Sequence, residues 1–452
     1  MKTTLRFIGG LLALLSAAPL PAQVPVIQSL EPQHELQWSG GQSNRAAAVE
    51  ISTNLATADW TTLKYDLATN GLRRVSLPTN TVPAAFYRMK VINTPPDPSL
   101  VLHFTFENDM GIVNGVTNWV MIDSSGYNNH GWSYPLAGTN IHRWPSVTNG
   151  PDGSQAASFS MYVDGYGKYN NSGDWVAIPL SSSFARLTNA TIMVWAWYYK
   201  GPVIGTNKPL VAVDQATIFN AYYQGAPWSW DLGRKYSSYT KFTVLDGNRD
   251  DINAISFPDI TTATDGDSGG WNHYAITFEG GLIKGFYNGQ DLGQSYTLAT
   301  NVLLASRYYA ALGCWNFGRA PASGGFEDGY PNTGWMYGAI DDVRIYNRVL
   351  SAQEIANIYY SFDRENPSTP TNFTATSVTS TEASFTWSPA TDHFGVSGYH
   401  LLRNGALVAD VAVTNAIDST VTSGASYEYS VQAYDHAGNI SPATPGIPVQ
   451  IP

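Results

Sequence analysis

Cysteine is almost missing from this chain: Cys314 is the only one among 452 residues, so no internal disulfide can form. Charge is scarce as well. Asp, Glu, Lys and Arg together make up 13%, with a net charge of −11 that argues against nucleic acid or an anionic membrane surface as a main partner. After the first residues no stretch is apolar enough to span a bilayer, which argues against membrane insertion. In place of charge the sequence has 14 Trp, 27 Tyr, 41 Gly and 26 Pro. That composition predicts an all-β, loop-rich globular protein, and the length predicts about three domains.

The first 22 residues have the pattern of a targeting segment. Lys2 and Arg6 supply positive charge, Phe7 to Ala18 (FIGGLLALLSAA) supply a short apolar core, and APLPA offers cleavage after Ala22. Leu20, three positions back, departs from the usual Ala. No Cys lies near the cleavage point, so a lipid anchor there is not expected. The expected mature protein is exported, secreted or periplasmic, and soluble. With no disulfide, a bound metal is a natural alternative staple.

Three modules are expected after this segment. Residues 23–93 hold short alternating pieces, LQW, AVEIS and FYRMKVI, and predict a small β-sandwich with no catalytic constellation. A Pro-rich linker at 94–99 leads to the largest module, 100–361. It contains VLHFTFEND, the polar turn DSSGYNNHG (Asp123 to Gly131), TIMVWAWYY, and WNHYAITFEGG with IKGFYNGQDLG, a hairpin turning at Glu279, Gly280 and Gly281. It closes on GAIDDVRIYNRVLSAQEI (Gly338 to Ile355), where LSAQEIANIYY predicts a short helix capped by Ser351 with Glu354 at its third position. A second linker at 362–372 precedes the module 373–452, in which Trp387, Tyr399, Leu401, Tyr427, Tyr429 and Val431 alternate as core positions.

Read as a strand, GAIDDVRIY puts Asp341, Val343 and Ile345 on one face and Asp342, Arg344 and Tyr346 on the other. Asp341 then lies in line with two core residues, where a lone carboxylate is unfavourable unless it binds a hard cation or accepts several backbone hydrogen bonds. Both remain open on the residues alone. Asp342 is expected in solvent.

In this order, FTFEND, DSSGYNNHG, GGWNHYAITF with GFYNGQ, and GAIDDVRIYNRVLSAQEI resemble the laminin-G-like, concanavalin A-like jelly roll of bacterial exported proteins, over about 260 residues. The last module resembles a fibronectin type III sandwich, of the kind appended to glycan-degrading enzymes as a spacer. The resemblance implies two antiparallel sheets packed face to face, a structural calcium and a carbohydrate ligand. It implies that Asp341 ligates calcium. Glu107 or Asn108 and a carbonyl of the DSSG turn are expected to assist, with Glu107 the chosen partner.

No catalytic residue is assigned. Jelly-roll glucanases place two carboxylates on one strand face with E-x-D-x-x-E spacing, and no such spacing occurs. Glu327 and Asp328 are adjacent, His103, His130, His142 and His273 are scattered, and no G-x-S-x-G or H-E-x-x-H is present. DGNRDDINA (Asp246 to Ala254) lacks the Gly and Glu of an EF-hand loop and reads as a solvated turn. Two aromatic-rich stretches, Phe219 to Phe242 and Arg307 to Arg319, mix rings with hydrogen-bonding groups as sugars require. Trp228, Trp230 and Trp315, set among Gly and Pro, are the expected loop aromatics for a ligand. The sequence thus predicts an exported, non-catalytic, calcium-containing protein that binds polysaccharide or glycoconjugate. The alternative is a lyase or glycoside hydrolase working in the same jelly-roll groove.

Overall fold

Alternating apolar and polar residues, broken every several positions by Gly, Asn and Asp, give strands almost throughout. The computed structural model describes residues 97–452 apart from 108–109, 114–115, 133–144, 160, 164–168, 180, 199–214, 221–228, 236–238, 246–250, 260–269, 305–308, 314–320, 323–324, 327–335 and 337. Before residue 97 it describes the strands lying between residues 6 and 91. Among the described residues the single helix is Ala352–Tyr360, and no helix is long and apolar enough to cross a membrane. The chain divides into two compact units, Met1–Ser351 and Ala352–Pro452.

Within the first unit, Arg6–Ile8 pairs with Leu11–Ala13 inside the expected targeting segment. Two three-stranded antiparallel sheets follow, Val26–Glu31 with Glu35–Gly40 and Thr69–Ser76, and Thr61–Leu67 with Ala46–Ser52 and Phe86–Val91. They fall within the residues expected to form a small β-sandwich. The jelly roll is built from an eight-stranded and a nine-stranded antiparallel sheet. At the centre of the first lie Asn189–Tyr198 and Asn272–Glu279, nearly every residue buried, as strands covered on both faces must be. The hairpin after Glu279 turns through Gly280 and Gly281, both at positive φ (56° and 95°), as a two-residue turn between right-twisted strands requires. The core between the sheets takes Phe104, Val194, Ile276 and Ile340 from one side and Val176, Trp230, Phe242 and Leu312 from the other.

The Gly338–Tyr346 strand departs from simple alternation. Trp195 opposes Asp341 and Met193 opposes Arg344, so Asp342 and Val343 together face the single residue Val194. This is a β-bulge, with Asp342 at φ 44°. It moves Asp341 off the core face. Ile340, Val343 and Ile345 belong to the core, while Asp341 shares the outward face with Trp195 and His273. The expectation that Asp341 lines up with Val343 and Ile345 is therefore corrected. The carboxylate is still buried, at 1% exposure.

Trp230 also departs from expectation. It lies not in a loop but at the head of the strand Trp230–Lys235, with its ring buried at the core. Phe219 meets it edge-on at 5.1 Å and Phe242 stacks at 6.0 Å, so it offers no open surface to a ligand. Trp228 and Trp315 lie outside the described residues, as do Asn108, Cys314 and most of the DGNRDD turn.

In the second unit, Thr371–Val378, Ala383–Ser388 and Asn415–Asp418 form one sheet. Ala406–Val411, Val396–Arg403, Ser426–Asp435 and Ile447–Gln450 form the other, in that spatial order. Phe385, Trp387, Leu401, Tyr429 and Val431 fill the core between them, as their alternation predicts, and Tyr427 packs half-buried beside it. The helix begins directly after Ser351 with Glu354 in its first turn. Because Trp230 is enclosed by rings, Trp230→Ala should destabilise the jelly roll by about 3–5 kcal/mol, read as a lower denaturant midpoint. A ring serving only as a surface contact would leave that midpoint unchanged.

Candidate metal centre and ligand face

Along one edge the Gly338–Tyr346 strand changes neighbours. Its first half, Gly338 to Ile340, pairs with Phe159 to Ala157; its second half, Val343 to Tyr346, pairs with Phe104 to Leu100. Asp341 and Asp342 stand at the seam between those two partners. Three pieces of chain end there: the bulge, the residues leaving Leu100–Phe104, and the hairpin joining Ser146–Asn149 to Gln155–Phe159.

Each contributes an oxygen-bearing group. Phe106 adopts φ 57°, unusual for a bulky residue, and its ring is fully buried. The next residue, Glu107, turns its half-buried carboxylate to the hairpin, where Oε1 accepts the Gln155 N–H at 3.0 Å. In that hairpin Gly150 N–H donates to the Ser154 carbonyl at 2.7 Å and Ser154 N–H to Asp152 Oδ1 at 3.1 Å. A Cβ on Gly150 would collide with Asp341 Oδ2 and lie 2.7 Å from Ser154 Oγ, so the close approach depends on glycine.

The Asp341 carboxylate accepts only one hydrogen bond, from Asp342 N–H to Oδ1 at 2.8 Å; Oδ2 is buried without a hydrogen-bond partner. Burial, with the charges of Asp342, Glu107 and Asp152 nearby, pushes its pKa well above the usual carboxylate range. Burial likewise raises Glu107 against the opposing hydrogen bonds from Ser154 and Gln155. The structure therefore brings Asp341 and Glu107 together at one polar seam.

The DSSG turn does something else. Asp123 is fully buried, yet its oxygens accept the N–H groups of His103, Ser125 and Asn129 and the Ser125 hydroxyl, all at 2.8–2.9 Å. His130 Nδ1 accepts the Asp123 N–H at 3.0 Å. Its carboxylate is thus served by the turn and by the Leu100–Phe104 strand beside it.

Asp342 is not solvated as expected. At 3% exposure its Oδ1 accepts His103 Nε2–H at 2.8 Å and Arg344 Nε–H at 3.0 Å. Burial pushes its pKa up, but the guanidinium of Arg344 and the hydrogen bond from His103 outweigh that and hold it at about 2. His273 lies fully buried on the same face with its ring 5.1 Å from Trp195, and burial pulls its pKa down to about 3. These groups form an enclosed polar layer.

The nine-stranded sheet has a second outward face. Register sets Val120 opposite Trp132, Trp132 opposite Ala177, Ala177 opposite Ala311, and Ala311 opposite Asn220. The row continues through Asp231 and Thr243 to Asn253. Directly opposed residues project to one side of a sheet, here the side away from Trp230 and Phe242. Ala177, Ala311, Asp231 and Thr243 are covered, while Trp132 is half-buried at one end and Asn253, 3.3 Å from Thr243 Oγ1, is exposed at the other. The pattern of the sequence does not point to Trp132 or Asp231, because the row joins eight strands in an order unrelated to their order in the chain.

Residues 170–356 match a family model described as the concanavalin A-like lectin/glucanases superfamily. Over 87 residues the chain is 40% identical to chitinase Chi52 of Paenibacillus xylanexedens, a match covering 19% of this chain and 17% of that protein. Over 76 residues it is 42% identical to chitinase D of Niallia circulans, covering 17% and 14%. The chain thus spans less than a fifth of the length of these curated relatives. Among solved structures, domain 4 of an extracellular arabinanase from Geobacillus stearothermophilus, in complex with arabinotriose, aligns with 58% of this chain and 98% of its own length at 19% identity and a TM-score of 0.37.

The buried histidines fix an acid response. His273, neutral in the fold to about pH 3, takes up a proton on unfolding at any pH between there and its ordinary value near 6.5, so stability falls as pH drops through that window. His103, also lowered by burial and by Arg344, acts in the same sense. Between pH 6 and 4 the slope of unfolding free energy against pH should shrink in His273→Phe by up to about 1.4 kcal/mol per pH unit, the value for one proton; equal slopes would mean that His273 is charged in the fold. The two antiparallel sheets agree with the match of residues 170–356 to the concanavalin A-like lectin/glucanase description.

Proposed function

We propose that this is an exported, non-catalytic glycan-binding protein whose jelly roll contacts polysaccharide or glycoconjugate and holds a structural calcium with Asp341 and Glu107. The observation that carries the binding role is the outward row of the nine-stranded sheet. It presents a half-buried ring at Trp132 at one end and an exposed amide at Asn253 at the other, with the small buried residues Ala177 and Ala311 next to the ring. A sugar presents C–H faces to a ring and hydroxyls to amides and carboxylates, which this composition suits. The row contains one carboxylate, Asp231, whereas hydrolysis of a glycosidic bond ordinarily takes two flanking the scissile bond.

Calcium fits the seam on the structure's own chemistry. The donors are all oxygens, Asp341 Oδ2 is buried without a hydrogen bond, and Gly150 lets the hairpin that carries Asp152 and Ser154 approach it closely. Left-handed backbone at Phe106 and Asp342 adjoins both carboxylates, the kind of local strain that persists where surroundings enforce it. A bound divalent ion would supply the counter-charge that Asp341 lacks and would tie three chain segments where no disulfide is available. The three- and four-stranded sheets of the carboxy-terminal unit support reading it as a fibronectin type III spacer. Short segments shared with chitinases suit a module found on glycan-active proteins.

Asp341→Asn should bind one calcium fewer than the wild type in calorimetric titration of chelator-stripped protein; unchanged stoichiometry would remove Asp341 from the site. On a glycan array the wild type should retain at least one polysaccharide class without releasing reducing or unsaturated ends. Trp132→Ala should weaken that binding about tenfold, roughly 1.4 kcal/mol. Product release would favour the lyase or hydrolase alternative, and an array with no hits would overturn the binding role.

A further inference from the structure

A second group of carboxylates, far in sequence from the first, lies in the carboxy-terminal unit. Asp363 follows the helix: its N–H closes on the Tyr360 carbonyl at 3.0 Å. Asp392 sits in the loop after Ala383–Ser388, and Asp435 ends the Ser426–Asp435 strand. One carboxylate oxygen from each lies within 4.8 Å of the others.

The three differ in what else they hold. Asp392 Oδ1 accepts the N–H groups of Phe394 and Gly395 at 2.7 and 2.9 Å, shaping its loop. Asp435 accepts Asn439 N–H on Oδ1 and Asn439 Nδ2–H on Oδ2, both at 2.9 Å. Asn439 Nδ2 also reaches the Asp363 carbonyl at 3.3 Å, so the loop and the segment after the helix are already linked. Asp363 is only 4% exposed. Its Oδ1 accepts Glu365 N–H at 3.1 Å, and its Oδ2 is buried with no hydrogen-bond partner. Burial first, then the charges of Asp392 and Asp435 and a carboxyl-to-carboxylate contact with Asp435, push its pKa up to about 6, as expected of carboxylates crowded together without a counter-ion.

We propose that Asp363, Asp392 and Asp435 form a second binding site for a hard divalent cation, calcium in class, which fastens the segment after the helix to two loops of the carboxy-terminal sandwich. The donors are oxygens only, which suits calcium and not zinc, whose sites favour imidazole and thiolate. Calcium–oxygen distances of about 2.3–2.6 Å place ligands on opposite sides of the ion roughly 5 Å apart, compatible with the observed spread. The ion completes the coordination of Asp363 Oδ2 and offsets three negative charges. Asp363 lies in the expected linker, while Asp392 and Asp435 belong to the sandwich. The cation thus makes the stiffness of this segment depend on calcium. This site is independent of the jelly-roll seam and of the glycan reading.

Calorimetric titration of calcium into the chelator-stripped full chain separates the two sites. Asp392→Asn should bind one calcium fewer than wild type while Asp341→Asn loses a different one, and the double variant should lose both. In the Asp341→Asn background, calcium should slow proteolytic cleavage between residues 361 and 371, and Asp392→Asn should abolish that protection. Asp363→Asn, close in shape to the native side chain, serves if Asp392→Asn disturbs its loop. The proposal is overturned if both variants keep the wild-type stoichiometry, or if calcium leaves cleavage of this segment unchanged in the Asp341→Asn chain. Full stoichiometry in Asp341→Asn alone would instead count against the jelly-roll site.

Discussion

A single strand, Gly338–Tyr346, must satisfy two different neighbours on one edge, and the bulge at Asp342 is the device that lets it. Without the extra residue, alternation would carry Asp341 toward the apolar core alongside Val343, where an unpaired carboxylate costs several kcal/mol. With it, Ile340, Val343 and Ile345 all face the core and two acidic groups turn to the other side. The packing of the core and the polarity of the seam are thus set by the same local irregularity. Bulges re-aim side chains in this manner, and their backbone twist disturbs the ladder enough to open space beside them.

The two acidic neighbours then meet opposite fates. Asp342 is neutralised in place by Arg344 on its own strand and hydrogen-bonded by His103 on the paired strand. Truncating one member of such a buried group leaves an uncompensated charge, so the group is rigid for electrostatic reasons as well as steric ones. Asp341 receives one backbone N–H and faces Glu107 and Asp152, both of the same sign. Folding alone leaves its electrostatics unresolved. The proposed divalent cation would resolve them and also close the seam, a role that disulfides cannot take in a chain with one cysteine.

Much of the architecture is legible in the sequence, because strand alternation, the Gly280–Gly281 turn and the Trp387 to Val431 pattern each follow from local chemistry. The position of Asp341 near a polar seam with Glu107 is legible through resemblance. Its face is not, since one inserted residue reverses every side chain beyond it and leaves no mark in the composition. Trp230 misleads for a related reason: flanking Gly and Pro suggest a loop, but tertiary packing against Phe219 and Phe242 decides its burial. The row from Trp132 to Asn253 depends on pairing between strands far apart in the chain, and the triad of Asp363, Asp392 and Asp435 joins residues up to 72 positions apart.

The buried aspartates can be sorted by the donors they face. Asp123 has three N–H groups and a hydroxyl; Asp418 has Arg403, Tyr429 and both Thr420 groups at 2.7–2.9 Å. Such carboxylates are complete, and removing one would strand several donors. Asp341 and Asp363 have one N–H each, on one oxygen, with like charges rather than donors around the other. Among the described residues, Asp341 and Asp363 thus each combine a half-served carboxylate with other acids close by. Each marks a point that joins segments the backbone ladders do not hold together, one at the strand seam and the other after the helix. Cation binding at both would stabilise the junctions while leaving the sheets, whose hydrogen bonds are already made, largely unaffected.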